Sequence, residues 1–271
     1  MDIGGGLKKC KHILYRDPLK RLIERAGLEV TLARLYANVL RRTSSDTIEY
    51  SINDQSASFY RSEYLPVDLP ERPVVEDLIE NLHPDDVFFD LGANHGIYTC
   101  LAGTRLNAGS VVSFEPNPET CAELRQNVAL NDLTDRVTIF QAAVADESGK
   151  ADLFSDKNMT GSSLVESQKG SGTQTIQVDV VALDSLVDAE SLPIPDVVKI
   201  DVEGAELQAL HGMRSLLEDQ CRLIYCEVHD SAVTGFDTTQ TDVERFLCDA
   251  GFDVETIFER EADHCILKAT R

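Results

Sequence analysis

The sequence predicts an α/β protein built on a parallel, doubly wound sheet, closed by an antiparallel hairpin and preceded by a helical and hairpin extension. Three observations predict it. From residue 85, short apolar runs alternate with stretches of helical periodicity, the pattern of βα units joined by right-handed crossovers. The first of those runs ends in a carboxylate and a glycine-rich turn, D-L-G-A-N-H-G. Near the end of the chain, two apolar runs, FDVETIFE and HCILKA, flank a short charged turn, as an antiparallel pair does.

Taken in order, residues 17–42 carry Leu19, Leu22, Ile23 and Ala26, then Leu32, Leu35, Tyr36 and Val39, at helical spacing. Gly27 and Glu29 interrupt the stripe, which favours docking on the protein's own core over lying on a membrane. Residues 43–64 alternate loosely and suggest a hairpin. Pro66, Pro70 and Pro73 mark a linker, which divides the chain into an extension (1–72) and a main domain (73–271). Pro73 suits the first turn of a helix through VVEDLIENL. Then come the strand DVFFD, a helix after the glycine turn, the strand VVSFE, the helix PNPETCAELRQNVALN and the strand VTIFQAAV. Residues 146–182 are irregular, with two expected strands, KADLF and TQTIQVDVVAL. DVVKID, the helix GAELQALHGMRSLLED, RLIYCEV and the threonine-capped helix TTQTDVERFLCDA complete the alternation.

Composition narrows the function. The 271 residues hold 47 Asp+Glu against 25 Lys+Arg, a formal net charge of −22, which disfavours nucleic acid and anionic membranes. Residues 1–42 nevertheless carry +6, leaving −28 on residues 43–271 and room for a weak peripheral contact through the basic helix. Heavy acidity with 9 Lys against 16 Arg resembles proteins of salt-accumulating halophiles, whose surface carboxylates are screened at high ionic strength. No run of about 20 apolar residues predicts a transmembrane helix, and no apolar leader is seen, so a cytoplasmic protein is expected. The seven cysteines form no C-x-x-C pair and read as reduced, buried thiols.

The polar residues at strand carboxyl ends carry the chemistry, because ligands of open α/β sheets bind there. Asp90, Gly92, Asn94 and Gly96 form the first turn. The glycines are spaced G-x-x-x-G rather than G-x-G-x-x-G. A carboxylate at Asp90 repels a pyrophosphate and suits a cationic, nucleotide-like cofactor without phosphates. Glu115 lies 23 residues after Gly92 at the next strand end, where an acid accepts both hydroxyls of a ribose. Asn117 follows at the rim, and Ala142 leaves room for an adenine ring. Lys199, Asp201 and Glu203 share one side of the next strand's end, with Glu206 in the following helix. Such carboxylates orient a hydroxyl, accept its proton or bind a cation. Capping explains Glu206 well and Asp201 poorly. Glu227 and His229 share a side at the fifth strand end, and a histidine there suits a base near neutral pH. His95 lies near the cofactor turn.

These motifs resemble the FkbM-type methyltransferases, a branch of the S-adenosylmethionine-dependent, seven-strand superfamily. The resemblance spans about residues 73–230 and rests on F-F-D-L-G-A-N-H-G (88–96), F-E-P-N-P (114–118), L-N-D-L (130–133), A-L-D-S-L (182–186), V-K-I-D-V-E-G-A-E (198–206) and C-E-V-H (226–229). The 198–206 segment is the specific one. The resemblance implies a Rossmann-like class I methyltransferase sheet, S-adenosyl-L-methionine as cofactor, and O-methylation of a sugar or other small-molecule hydroxyl or carboxylate. Asp90, Gly92, Asn94, Gly96, Glu115, Asn117 and Ala142 are then expected to bind the cofactor, and Asp201, Glu203 and His229 to serve the transfer. No metal set is assigned, although Asp184, Asp201 and Glu203 would share a cation if the fold brought them together. The Gly/Ser-rich segment 156–174 is expected to help form the acceptor pocket. Two other classes stay open: an NAD-type oxidoreductase on the same sheet, and an inactive cofactor-binding scaffold.

Overall fold

The computed structural model describes residues 47–62, 65–155, 162–163, 174–190, 192–229, 238–259 and 264–271. The basic helix expected over 17–42 and most of segment 156–174 lie outside the described residues. Strands β1 (Thr47–Ile52) and β2 (Gln55–Tyr60) form the expected hairpin, and α1 (Arg72–Asn81) follows with proline in its first turn. The alternating part then runs β3 (Val87–Leu91), α2 (Ile97–Arg105), β4 (Ser110–Phe114), α3 (Pro118–Leu130), β5 (Val137–Phe140), β6 (Ala143–Val144), β7 (Gly149–Ser155), β8 (Ser162–Ser163) and β9 (Gln174–Val181). It continues with α4 (Leu183–Glu190), β10 (Val197–Ile200), α5 (Glu206–His211), α6 (Arg214–Asp219), β11 (Leu223–His229), α7 (Gln240–Asp249), β12 (Asp253–Glu259) and β13 (His264–Thr270).

Seven strands form the main sheet in the order β12-β13-β11-β10-β3-β4-β5. β3, β4, β5, β10 and β11 are mutually parallel, while β13 runs antiparallel to both β11 and β12. Alternation along each strand feeds two cores. Phe88, Val111, Val197 and Tyr225 pack on one face, while Phe89, Val112, Val198 and Ile224 pack on the other. Phe88 and Phe89 are both fully buried, and truncating either to Ala would cost about 3–5 kcal/mol.

The hairpin shares the first of those cores: Tyr50, Ile52, Ala57 and Phe59 pack with residues of α1 and α2. Its outer edge is covered by two asparagines of the α3 end. The side chain of Asn131 accepts from the Ser58 N–H at 2.8 Å and donates to the Ser58 carbonyl at 2.8 Å, and that of Asn127 accepts from the Tyr60 N–H at 3.1 Å. An edge strand that would otherwise present unpaired groups is thereby satisfied.

Three elements differ from expectation. The single strand expected over 137–144 is two: β5 ends at Phe140, and Ala143–Val144 pairs in parallel with β9 in a second sheet of order β6-β9-β7-β8. Apolar periodicity marks the strands but not the sheet that each joins. The helix expected over 204–219 is divided into α5 and α6. The Ala145 carbonyl comes so close at the division that a Cβ on Gly212 would stand 2.0 Å from it. Residues 183–190, of which only Leu183 was expected in a strand, form a helix. Asp184, near its start, accepts from the N–H groups of Ser215 and Leu216 at 3.1 and 3.2 Å and so caps α6. That position corrects the suggestion that Asp184 joins a cation site with Asp201 and Glu203.

Candidate active site

An open cleft of about 610 Å³, counting its solvent mouth, lies at the carboxyl ends of β3, β4 and β10. Its walls include Gly92, Asn94, Glu115, Ala142, Ala143, Asp201 and Glu203. Gly92 has a φ of +78°, and a Cβ there would stand 1.7 Å from the Asp201 carbonyl oxygen. The turns after β3 and β10 therefore meet backbone to backbone, an approach only glycine allows.

The β4 side is held by main-chain donors. Glu115 is buried. One of its oxygens accepts from the Asn94 N–H at 3.0 Å and the other from the Asn117 N–H at 2.8 Å. Burial pushes its carboxyl up to about 7, against the lowering effect of those two donors. Ala142, with Ala143 and Val144, forms the facing wall.

Four expected cofactor or catalytic residues do not line this cleft. Asp90 is fully buried: Oδ2 accepts from Thr99 Oγ1 at 2.6 Å, and Oδ1 faces Lys199 Nζ at 3.8 Å without a hydrogen bond. Burial raises its pKa, with Lys199 and Thr99 pulling the other way. It supports the turn and the Lys199 network. Gly96, with φ +86°, is the N-cap of α2 and packs toward Leu124. The Asn117 side chain accepts from the N–H groups of Glu119 and Thr120, so the amide expected at the ribose is occupied as the N-cap of α3. His229 does not line the cleft. His95 also turns away, to Glu123 at 3.1 Å.

The β10 side is built by side chains. Lys199 Nζ donates to Asp201 Oδ2 at 3.0 Å and to the Gly92 carbonyl at 3.3 Å, and lies 5.0 Å from the Tyr98 ring centre. Burial opposes its charge, but Asp201, Asp90 and Glu227 hold the ammonium above its ordinary value. Burial likewise disfavours ionisation of Asp201, yet Lys199 and His229 hold its carboxyl below the usual range. Glu203 sits at φ +52°, next to Gly204 at φ +102°, a conformation that costs a non-glycine residue about 1–3 kcal/mol. The turn lifts Glu203 out of the strand and into the cleft wall. Burial and the neighbouring Asp201 push its carboxyl up to about 7.

His229 ends β11. Its Nδ1 meets Glu206 Oε1 at 2.9 Å, while Nε2 lies 3.7 Å from Glu203 and 3.8 Å from Glu227. Burial works against its charge, but Glu206 and Asp201 bring its pKa up to about 10. The ring thus stands among three carboxylates. Two contributors were missed by the sequence reading. Glu71, ahead of α1, accepts from the Tyr98 hydroxyl at 3.2 Å, and His264, at the start of β13, is the register partner of His229 and touches Glu227. A signal for His264 did exist, because the antiparallel closing strand must begin at the rim where the parallel strands end.

A family model described as "Methyltransferase FkbM domain" matches residues 90–254, from the first strand end into the closing hairpin. The chain belongs to the FkbM methyltransferase family. Its relatives include the hexuronic acid methyltransferase AglP of Haloferax volcanii, 31% identical over 199 residues that cover 72% of this chain and 76% of the relative. The 31-O-demethyl-FK506 methyltransferase FkbM of Streptomyces tacrolimicus is 28% identical over 177 residues, 55% of this chain and 67% of that one. Among solved structures, methyltransferase FkbM from Methylobacillus flagellatus superposes with a TM-score of 0.50 at 16% identity, covering 70% of this chain and 45% of that chain. That likeness shows the fold. The strand order matches the Rossmann-like methyltransferase sheet implied by the sequence motifs, and methyltransferase membership removes the oxidoreductase alternative. Among the described residues, no helix is long and apolar enough to cross a membrane.

Proposed function

We propose that this FkbM-family enzyme transfers a methyl group from S-adenosylmethionine to an oxygen of a sugar-derived acceptor, a hydroxyl or a carboxylate. The observation that carries the reading is Glu115. Its carboxylate lines the cleft and is aimed by two backbone N–H groups, with oxygen lone pairs left for a ribose diol. The residues fit the cofactor: the Gly92 turn gives close backbone approach, Ala142 and Ala143 leave a shallow apolar wall for a purine, and among the described residues no lysine or arginine lines the cleft to call for a phosphate. The hexuronic acid named for the relative AglP supports an acceptor of the sugar-acid class.

When bound, the cofactor supplies an electrophilic methyl on a sulfonium. The work of this chain is positional. Asp201, neutralised and fixed by Lys199 at 3.0 Å, orients an acceptor hydroxyl from the β10 side. Glu203 projects from its strained turn into the same wall and receives the hydroxyl proton as the carbon–oxygen bond forms and the carbon–sulfur bond breaks. A carboxylate acceptor needs no proton removed and uses orientation alone. Alignment of this kind is worth about 7–11 kcal/mol, and a base adds about 10²–10⁴-fold.

The test is methyl transfer from labelled S-adenosylmethionine to a panel of hexuronic acids, neutral hexoses and polyketide alcohols, with calorimetric cofactor binding in parallel. Transfer to the uronic acids or hexoses is expected. Cofactor binding without turnover on any acceptor would instead favour the scaffold reading, and transfer to the polyketide alcohols alone would overturn the sugar assignment.

A further inference from the structure

The rim beyond the cofactor cleft gathers Glu71, Asp201, Glu203, Glu206 and Glu227 around two histidines. Among the described residues, the lysine that contacts this group, Lys199, is committed to Asp201 and Asp90. Negative charge is therefore in excess on the histidine side. The donor set is also mixed: Glu227, His229 and His264 each offer one ligand atom, and these atoms all lie within 4.8 Å of one another. A second triad, Asp201, Glu203 and His229, shares the same imidazole.

A separate observation concerns how His229 is held. Glu206 is fully buried. Its Oε1 accepts from the Gly204 N–H at 2.8 Å and meets His229 Nδ1 at 2.9 Å, while its Oε2 is buried with no hydrogen-bond partner among the described residues. A buried carboxylate behind one ring nitrogen fixes the tautomer and aims the other nitrogen, which is how metal-ligating histidines are oriented. Here the other nitrogen, Nε2, faces Glu227 and Glu203. Three elements converge to build the arrangement: the end of β11, the start of β13 and the first turn of α5.

We propose that Glu227, His229 and His264 bind one divalent first-row transition-metal ion, oriented from behind by Glu206. Two imidazoles and a carboxylate suit Mn²⁺, Fe²⁺, Co²⁺ or Zn²⁺, whereas Mg²⁺ prefers an all-oxygen shell. Between the two triads, the Glu227 set is chosen because Asp201 is already neutralised by Lys199 and Glu203 is turned into the cleft wall. The ion would lie beside the residues that face the acceptor, and its remaining positions would take water or acceptor oxygens. It would convert a rim that repels a uronate into one that anchors it. That role rests on the methyl-transfer reading above; the binding itself does not.

The experiment uses the full-length chain, stripped with a chelator and kept in concentrated KCl so that monovalent cations screen the surface carboxylates. Zn²⁺ affinity is read by competition with a chromogenic chelator, Mn²⁺ by loss of the free-ion EPR signal, and Co²⁺ by its visible absorption. One ion per chain is expected, with Zn²⁺ and Mn²⁺ preferred over Mg²⁺. H264N and E227Q should each weaken binding by at least 10–100-fold, H264N should shift the Co²⁺ bands, and E206Q should weaken binding by about 10–100-fold as an orienting residue. Because a variant could fail to fold, the Co²⁺ spectrum of the wild type stands as an independent check: bands without imidazole character overturn the proposal. So do a wild type without a saturable site, unchanged affinity in a folded H264N, or a preference for Mg²⁺. S-adenosylmethionine binding, measured on the same samples, separates the two readings. Cofactor binding without metal defeats only this inference, and metal binding without cofactor defeats only the methyl-donor assignment.

Discussion

The two walls of the cleft are built in different ways. On the β4 side, Glu115 is held by the backbone N–H groups of Asn94 and Asn117, and the turn beneath it is braced by Asp90, Thr99 and Ser113. On the β10 side, Lys199, Asp201, Glu203, Glu206, Glu227, His229 and His264 hold one another through side chains from four elements. Main-chain donors set by a short turn make a fixed docking point for an invariant ligand part. Side-chain contacts between distant elements make a wall whose shape and charge change with single substitutions. On the proposed reading, the first wall sets cofactor affinity and the second handles the acceptor.

The largest expected effect tests that division at Glu115. Glu115→Gln keeps one acceptor oxygen but cannot accept both hydroxyls of a diol. With Glu115→Ala, two charge-assisted hydrogen bonds worth about 1.5–3 kcal/mol each are lost. Calorimetry should show S-adenosylmethionine affinity falling about 100-fold or more in Glu115→Ala, with Glu115→Gln intermediate. Wild-type affinity in both would break the comparison. On the opposite wall, Glu203→Gln should lower turnover on a hydroxyl acceptor by about 10²–10⁴-fold while leaving cofactor affinity within about threefold. An equal loss of both would mean that the walls do not act separately.

Gly92→Ala probes the seam between them. The added Cβ would meet the Asp201 carbonyl, and φ +78° is strained for alanine. Overpacking and strain together predict a loss of about 2–5 kcal/mol in chemical denaturation. The smallest effect is a pH dependence confined to the first wall. With its carboxyl raised to about 7 by burial, Glu115 is protonated below that pH in the free protein, and a ribose diol needs the ionised form. Cofactor affinity should therefore rise from pH 6 to pH 8, by up to about tenfold per unit below 7 and less above, and Glu115→Gln should flatten the profile. The same shift makes the free protein bind more protons than the unfolded chain between the ordinary carboxylate range and about 7. The Glu115 contribution to stability therefore falls as pH rises through that window.

The same contrast explains what could be read before the fold was known. The β4 wall was legible because its parts are close in sequence: Asp90 to Gly96 form one turn, and Glu115 ends the next strand. Even there, side-chain roles shifted. Asp90 is a buried brace and Asn117 a helix cap, because a short polar residue at a strand-to-helix junction serves capping and ligand contact equally well in sequence. The β10 wall was legible only at Asp201, Glu203 and His229. His264 and Glu71 are 35 and 158 residues from His229 in sequence, and no periodicity links them.

From its sequence alone, this protein reveals the alternation of strands and helices, the carboxylates at the parallel strand ends, the closing hairpin and the methyltransferase motifs. These follow from local rules: period-two alternation, turn glycines and caps. Only the tertiary structure decided that residues 143–144 join a second sheet, that Asp184 caps a helix, and that β13 brings His264 against Glu227 and opposite His229. The physical reason is that alternation assigns a side chain to a face of its strand. Which strand lies alongside, and in which direction, is set by long-range packing of the whole sheet.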